Sequence, residues 1–263
     1  MASLKLKGRY YRIYPLDKVG YVEEELEFDT NETAFLLVDV YGTGFSEGEL
    51  PVIYKGKERP TMIAPTAAER EKDIIINHIR PAKDAAKKIG LPIIYLANSA
   101  PRIALSKSVW YQQMKKIQDI DIEEAFKEDC VDPKEYMYGD SNQLKYSKII
   151  APEEGDYFIR KHFYSGFYET RLEGLLKNLG IKNLIAVGFA ADICLFCTLI
   201  DALYRNYRVL LLRDCTLAVE FLDTEKDWGN TKWAIRWLET YVGNSTTSEE
   251  FIRACNQLMR QKT

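Results

Sequence analysis

Short, nearly continuous apolar runs alternate along this chain with segments whose apolar residues return every three or four positions. "TAFLLVDVY" (33–41), "LPIIYLANS" (91–99), "GDYFIRK" (155–161), "KNLIAVGF" (182–189) and "RVLLLRDC" (208–215) are the short runs. Runs of that length, apolar on both faces, suit strands buried inside a covered sheet. "TAAEREKDIIINHIRPAKDAAKKIG" (66–90), "TRLEGLLKNLG" (170–180), "ICLFCTLIDALYRNY" (193–207) and "TKWAIRWLETYVG" (231–243) have helical spacing. In the first of these, Thr66 with Glu69 makes a capping-box pattern and Gly90 a C-terminal stop, while Pro81 kinks or divides the helix. Thr170 caps the helix after it, and the helix over 231–243 is expected to be the last strong one. Strands alternating with helices predict an α/β fold: a Rossmann-like three-layer sandwich with a mostly parallel central sheet and helices on both faces.

Two regions break the rhythm. Residues 1–32 carry aromatic and alternating stretches, "RYYRIY" and "YVEEELEF", and read as an N-terminal arm or hairpin. At about 100–148 a helical stretch, "VWYQQMKKIQDIDIEEAFKEDC", leads into the loop-like "VDPKEYMYGDSNQ". This reads as a lid-like insertion able to cover a site.

In open parallel sheets, ligands bind beyond the carboxyl ends of the strands. Three reactive side chains fall there: Asp39 after the first of these strands, Lys161 closing the third, and Cys194 following the fourth at the start of a helix. Alone, each has an ordinary explanation: a capping acid, a solvated lysine, a small packed thiol. Together they make coherent chemistry. A helix N-terminus and a neighbouring ammonium are expected to favour the thiolate. A carboxylate would take the thiol proton without a histidine, and free N–H groups at the turn would hold an oxyanion.

These pieces, "FLLVDV", "RKHFYSGFYET" and "AVGFAADICLFCTLIDAL", resemble the isochorismatase-like cysteine hydrolases, with strand and helix order in agreement from about 33 to 242. "YSGF" after the lysine makes the ureidoacrylate, biuret and N-carbamoylsarcosine amidohydrolase branch the nearest in likeness. The resemblance implies a hydrolase domain over 33–263. It implies Asp39 as general base, Lys161 as charge-stabilising group and Cys194 as nucleophile. It further implies a cis peptide between Phe189 and Ala190 that aims the N–H of Ala190, with that of Cys194, at the oxyanion. The implied reaction is thioester-mediated cleavage of a linear C–N bond in a small ureido or amide compound. Alternatives are another small or cyclic amide, a non-catalytic binding relative, or a thiol–disulfide oxidoreductase.

The last alternative rests on Cys194 and Cys197, a C-x-x-C pair. A thioredoxin-type motif would stand near the first strands of a short domain, whereas here four strands precede it. A zinc site needs two more ligands, and no second C-x-x-C exists. Cys197 is either a packed bystander or a thiol able to trap an oxidised Cys194. The metal-ligating Asp-x-His of the nicotinamidase branch is missing, since His78, inside a predicted helix, is the only histidine between Asp39 and Lys161. No metal and no cofactor are therefore expected. Relatives often carry "CVEST" where this chain has "CLFCT", so Phe196 replaces an acid and Ile200 a commonly basic residue.

For the pocket, Asn98 beyond the second strand is a candidate for binding a substrate amide. Trp110, Tyr111, Gln112 and Gln113 in the insertion are candidates to line it, as are Tyr164 and Phe167 beside the lysine. His162 points to the other face of its strand and reads as structural.

Composition narrows the classes. Net charge is −3 with basic residues dispersed among acids, which argues against a nucleic-acid partner. No apolar run approaches the roughly 18 residues of a membrane span, and the first residues lack the apolar core of a signal peptide. Five cysteines, an odd number, favour reduced thiols and a cytoplasmic location. The resemblance further implies a small-molecule substrate and a homo-oligomer (dimer or tetramer).

Overall fold

The computed structural model describes residues 2–42, 45, 53–54, 57–58, 65–98, 109, 112–113, 116, 146–161 and 163–262. Most of the lid-like stretch at 100–148, with Trp110, Tyr111 and Cys130, lies outside the described residues, as does His162.

The strands are β1 (Ser3–Arg12), β2 (Gly20–Asp29), β3 (Thr33–Val38), β4 (Ile53–Tyr54), β5 (Lys57–Glu58), β6 (Ile93–Asn98), β7 (Tyr157–Lys161), β8 (Asn183–Gly188), β9 (Arg208–Leu212) and β10 (Asn244–Thr246). β4 and β5 pair as a small separate ribbon. The other eight form one sheet in the order β2-β1-β10-β9-β8-β3-β6-β7. From β10 to β7 every neighbouring pair is parallel, while β1 runs antiparallel to both β2 and β10. From β3 the chain moves outward through β6 to β7, then returns to the other side of β3 with β8. The junction of β3 and β8 is thus the switch point where an α/β sheet opens a crevice.

The apolar runs sort their residues by alternation. Phe35 and Leu37 of β3, with Ile185 and Val187 of β8, face one layer. That layer is covered by α1 (Pro65–Ile74), a π-helical stretch (Ile75–Ile79), α2 (Arg80–Lys88) and α6 (Ser248–Lys262). Ala34, Leu36 and Val38 of β3, with Leu184 and Ala186 of β8, face the other. There α3 (Leu172–Asn178), α4 (Cys194–Tyr204) and α5 (Gly229–Tyr241) pack. The architecture is the three-layer α/β sandwich that the periodicity predicts.

Three differences from the sequence reading are informative. The first helix begins at Pro65, so Thr66 stands inside it and is not its cap. Proline suits a first helical position, where no N–H is needed. Pro81 does not break the helix; a π-helical stretch precedes it, and the N–H of Arg80 reaches back to Ile75. The longer bond spares the ladder an amide that Pro81 cannot supply. Finally, α5 is not the last helix: β10 and the 15-residue α6 follow it.

The segment after the lid-like stretch is pinned to α2. Lys83, fully buried, donates to Glu153 at 2.7 Å, and Lys87 donates to the other oxygen of Glu153 at 2.9 Å. Tyr95 donates to the Ile150 carbonyl at 2.8 Å, and Arg80 to that of Ile149. β7 therefore enters the sheet from an anchored start.

Candidate active site

Four adjacent parallel strands, β8-β3-β6-β7, end in one row, and each end contributes one polar residue. Register fixes the row: Val38 pairs with Gly188 on one side and Leu96 on the other, and Asn98 pairs with Lys161. Asp39 follows β3, Asn98 ends β6, Lys161 ends β7, and Cys194 opens α4 after β8. The β3–β8 approach is close enough to demand glycine. A Cβ at Gly188, where φ is +118°, would lie 2.0 Å from the Val38 carbonyl oxygen. Asp39 itself adopts φ +49°, a left-handed conformation that asparagine and aspartate tolerate best.

The side chains meet. Lys161, fully buried, places Nζ 2.8 Å from Oδ2 of Asp39 and donates also to Oδ1 of Asn98 and, at 3.2 Å, to the Phe163 carbonyl. The amide nitrogen of Asn98 lies 3.4 Å from Oδ2 of Asp39. Oδ1 of Asp39 accepts from the Tyr41 hydroxyl at 2.7 Å, and that hydroxyl accepts from the Asn98 backbone N–H at 2.6 Å. The Cys194 thiol lies close enough to Asp39 and Lys161 for the charge of each to act on it. Asp39, Lys161 and Cys194, singled out from separate strand ends, are brought together.

Electrostatics correct one expectation. Burial pushes the Cys194 thiol well up, the Asp39 charge adds to this, and Lys161 opposes it without prevailing. Burial and the Asp39 charge thus favour the thiol form of the sulfur over the thiolate. Burial pulls the Lys161 ammonium down, but Asp39 and Cys194 together outweigh it and raise the group above its ordinary value. The site holds a charged lysine, a carboxylate and a protonated sulfur in mutual contact, an arrangement in which the proton of Cys194 has an acceptor at hand.

The turn before the nucleophile contains the cis peptide between Phe189 and Ala190. Among the described residues, the backbone N–H groups of Ala190 and Cys194 have no hydrogen-bond acceptor. Asp192 holds the turn in place by accepting from the Val219 N–H at 3.0 Å and from the Asn230 amide at 2.9 Å. The N–H of Ala191 reaches the Leu217 carbonyl at 2.9 Å.

The pocket candidates fare differently. Both ends of the Asn98 amide face the triad, so Asn98 positions Lys161 and Asp39. Phe167 does not line a pocket: it is 5% exposed, packs among Leu172, Leu176 and Leu195, and stacks on Tyr207 at 5.8 Å. The rest of "YSGF" is occupied in the same way. Ser165 donates to Asp201, the Gly166 N–H donates to Thr198, and a Cβ at Gly166 would collide with Leu96. The motif docks the loop after the lysine onto α4, and Thr198 in turn donates to the Cys194 carbonyl at 2.7 Å. Tyr164 is half-buried, while Gln112 and Gln113 are exposed in helical backbone. The Thr170 hydroxyl accepts from the Leu172 N–H at 3.1 Å, as a cap does. Cys194 and Cys197 are both free thiols, and burial raises the pKa of Cys197. His78 lies against Ser248 and Asp214, in the layer of α6. Among the described residues no group of three or more His, Cys, Asp or Glu side chains is arranged to hold a metal, and no helix is long and apolar enough to cross a membrane.

Two tyrosines escaped the sequence reading. Tyr41 stands two positions after Asp39, where a strand has just ended, and only its contacts reveal that it serves the carboxylate. Tyr146, packed on Tyr41 at 5.8 Å, lies in a stretch without motif.

Comparison with known proteins agrees with this fold. A cysteine hydrolase structure from Pseudomonas syringae pv. phaseolicola superposes with a TM-score of 0.65 at 19% identity, covering 88% of this chain and 95% of the other. N-carbamoylsarcosine amidase from Thermoplasma acidophilum superposes with a TM-score of 0.54 at 24% identity, covering 83% and 98%. Among sequences, the isochorismatase family protein YaaI of Bacillus subtilis is 28% identical over 70% of this chain and 84% of its own length. The ureidoacrylate amidohydrolase RutB of Azorhizobium caulinodans is 33% identical over 41% of this chain. That match spans 45% of the enzyme's length, under half of it. The Isochorismatase domain family matches residues 60–249, most of the chain, and the chain belongs to that family.

Proposed function

We propose that this protein is a cysteine amidohydrolase that cleaves a linear C–N bond of a small ureido or amide compound. The observation that carries the reading is the contact of Asp39, Lys161 and the Cys194 thiol at the switch point of the sheet. In this cycle Asp39 takes the proton of Cys194 as the sulfur attacks the substrate carbonyl. The resulting oxyanion is held by the N–H groups of Ala190 and Cys194. Collapse expels ammonia or an amine, which carries away the proton from Asp39. Asp39 then accepts a proton from water, the hydroxide opens the thioester, and the acid leaves as Cys194 regains its proton. Lys161 stays charged throughout and balances the negative charge that moves between carboxylate, sulfur and oxyanion.

The ureido preference is supported by the ureidoacrylate amidohydrolases among the relatives. It draws nothing from "YSGF", whose serine, glycine and phenylalanine are consumed in packing. The test is ammonia release from biuret, ureidoacrylate, N-carbamoylsarcosine, nicotinamide and simple amides, with Cys194→Ser and Cys197→Ser alongside. Release abolished by the first substitution and kept with the second is the expected result. Loss with either would make the pair of thiols the working unit and reject the hydrolase mechanism.

A further inference from the structure

The turn that leads from Phe189 to Cys194 is fastened to one neighbouring segment. The Ala191 N–H donates to the Leu217 carbonyl at 2.9 Å, and the Asp192 carboxylate accepts from the Val219 N–H at 3.0 Å. Residues 217–219 follow β9 and lie against the start of α5, where the Ala218 N–H donates to the Thr231 hydroxyl at 3.0 Å. Ala191, Ala218 and Ala234 meet in a buried cluster of methyl groups, so turn, segment and helix lie close together. Asn230 joins all three. Its amide nitrogen has two hydrogens and two acceptors: Oδ2 of Asp192 at 2.9 Å and the Val219 carbonyl at 2.7 Å. Asn230 is itself fixed by Glu220, which accepts from the backbone N–H of Asn230 at 3.0 Å and from that of Thr231 at 2.8 Å. These bonds satisfy the first turn of α5 and do not involve the Asn230 side chain. Burial pushes the Asp192 carboxyl up, while the Val219 N–H and the Asn230 amide act to hold it down.

We propose that Asn230 is a positioning residue: by clamping Asp192 to the backbone at Val219, it fixes the turn from which the N–H groups of Ala190 and Cys194 face the substrate oxyanion. This deepens the amidohydrolase reading and rests on it. Asn230 touches no reacting atom and acts through Asp192, which stands midway between the two oxyanion donors in sequence. A shift of the turn therefore moves both donors at once. The oxyanion forms on attack and is absent from the bound substrate, so displaced donors weaken the transition state more than the substrate complex. A primary amide suits the place because it brings two hydrogens and no charge beside the carboxylates of Asp192 and Glu220. Aspartate has the same shape and brings neither hydrogen.

The experiment compares wild type with Asn230→Ala, Asn230→Asp, Asp192→Ala and the double variant Asp192→Ala/Asn230→Ala. The substrate is the compound of the panel above that wild type hydrolyses with the highest kcat/KM. Melting temperature is read alongside, and alkylation of Cys194 by iodoacetamide is followed by peptide mass spectrometry. Asn230→Ala should lower kcat about 10- to 100-fold and leave KM within about two-fold. Asn230→Asp should lose at least as much, although an acid in the first turn of α5 suits the helix. Alkylation forms no oxyanion, so its rate should stay within about two-fold of wild type in both Asn230 variants. The double variant should be no slower than Asp192→Ala, since one residue acts through the other. Unchanged kcat in Asn230→Asp, losses that add in the double variant, or a loss carried by KM would each overturn the proposal. So would parallel falls in kcat and alkylation, or melting more than about ten degrees below wild type in both Asn230 variants, because the bridge would then serve the fold. Wild-type turnover with any of these results leaves the amidohydrolase standing and removes the positioning role alone. Absence of ammonia release by wild type from every compound sinks the amidohydrolase reading and this assignment with it.

Discussion

Lys83 and Lys161 are both fully buried, and each lies within 2.8 Å of a carboxylate. One fastens a loop to a helix; the other sits in the candidate active site. The difference lies in the partner. Glu153, opposite Lys83, is about half exposed and is shared with Lys87, and the hydrogen bonds from the two lysines hold its pKa down to about 2. It is a settled anion with water on one side. Asp39, opposite Lys161, is 7% exposed, accepts from Tyr41, and touches a thiol that keeps its proton. A buried lysine is thus no sign of function by itself. The sign is a buried lysine whose anion has a second, exchangeable proton within reach.

That contrast can be broken or sharpened by substitution. The largest effect belongs to Cys194→Ala, which removes the exchangeable proton and the nucleophile. Ammonia release should fall at least about 10³-fold, with the melting temperature nearly unchanged, in a steady-state assay paired with calorimetry. Lys161→Met comes next, since it leaves Asp39 buried without its cation. Stability should drop by about 3–5 kcal/mol in urea unfolding, together with activity. Glu153→Ala should cost a similar or slightly smaller amount, because Lys83 is then stranded, while activity per folded molecule stays within a factor of about two. Lys83→Met should cost only about 1 kcal/mol, since Glu153 turns to water and Lys87. Equal losses for Lys83→Met and Glu153→Ala would dissolve the distinction drawn from exposure.

The smallest effect is a pH dependence. The folded-state pKa of Glu153 lies below its ordinary value of 4.5, so the stability it contributes is full above about 4.5 and lost as pH falls towards 2. The gap between wild type and Glu153→Ala in urea midpoint should therefore narrow across that window. A gap that is constant down to pH 2 would contradict the pairing.

Much of this organisation can be read from the chain, for reasons that are physical. The two-sided apolar runs announce covered strands, and a reactive residue after each run lands on the carboxyl edge. Strand order is another matter. Nothing in the sequence says that β6 lies between β3 and β7, and that order alone turns Asn98 into a brace between Asp39 and Lys161. The thiol was expected to ionise from its helix end and nearby cation. Burial and the adjacent carboxylate win instead, and both depend on tertiary packing. β10 has no apolar signal, being Asn-Ser-Thr held between β9 and β1. The α6 helix did carry one: Ser248 stands at its start, and Phe251, Ala254, Cys255 and Leu258 repeat on the buried face.

The hairpin of β1 and β2 has one more consequence. β1 adds to the sheet beside β10 and packs against both α5 and α6. The Lys7 carbonyl accepts from Thr246 and its N–H donates to Glu250. β1 thus finds its place only after residues 244–258 have been synthesised. On the ribosome it waits, apolar side chains uncovered, while the 239 positions that separate Lys7 from Thr246 are made. During that interval Leu4, Leu6 and Phe28 are the surface a chaperone would meet.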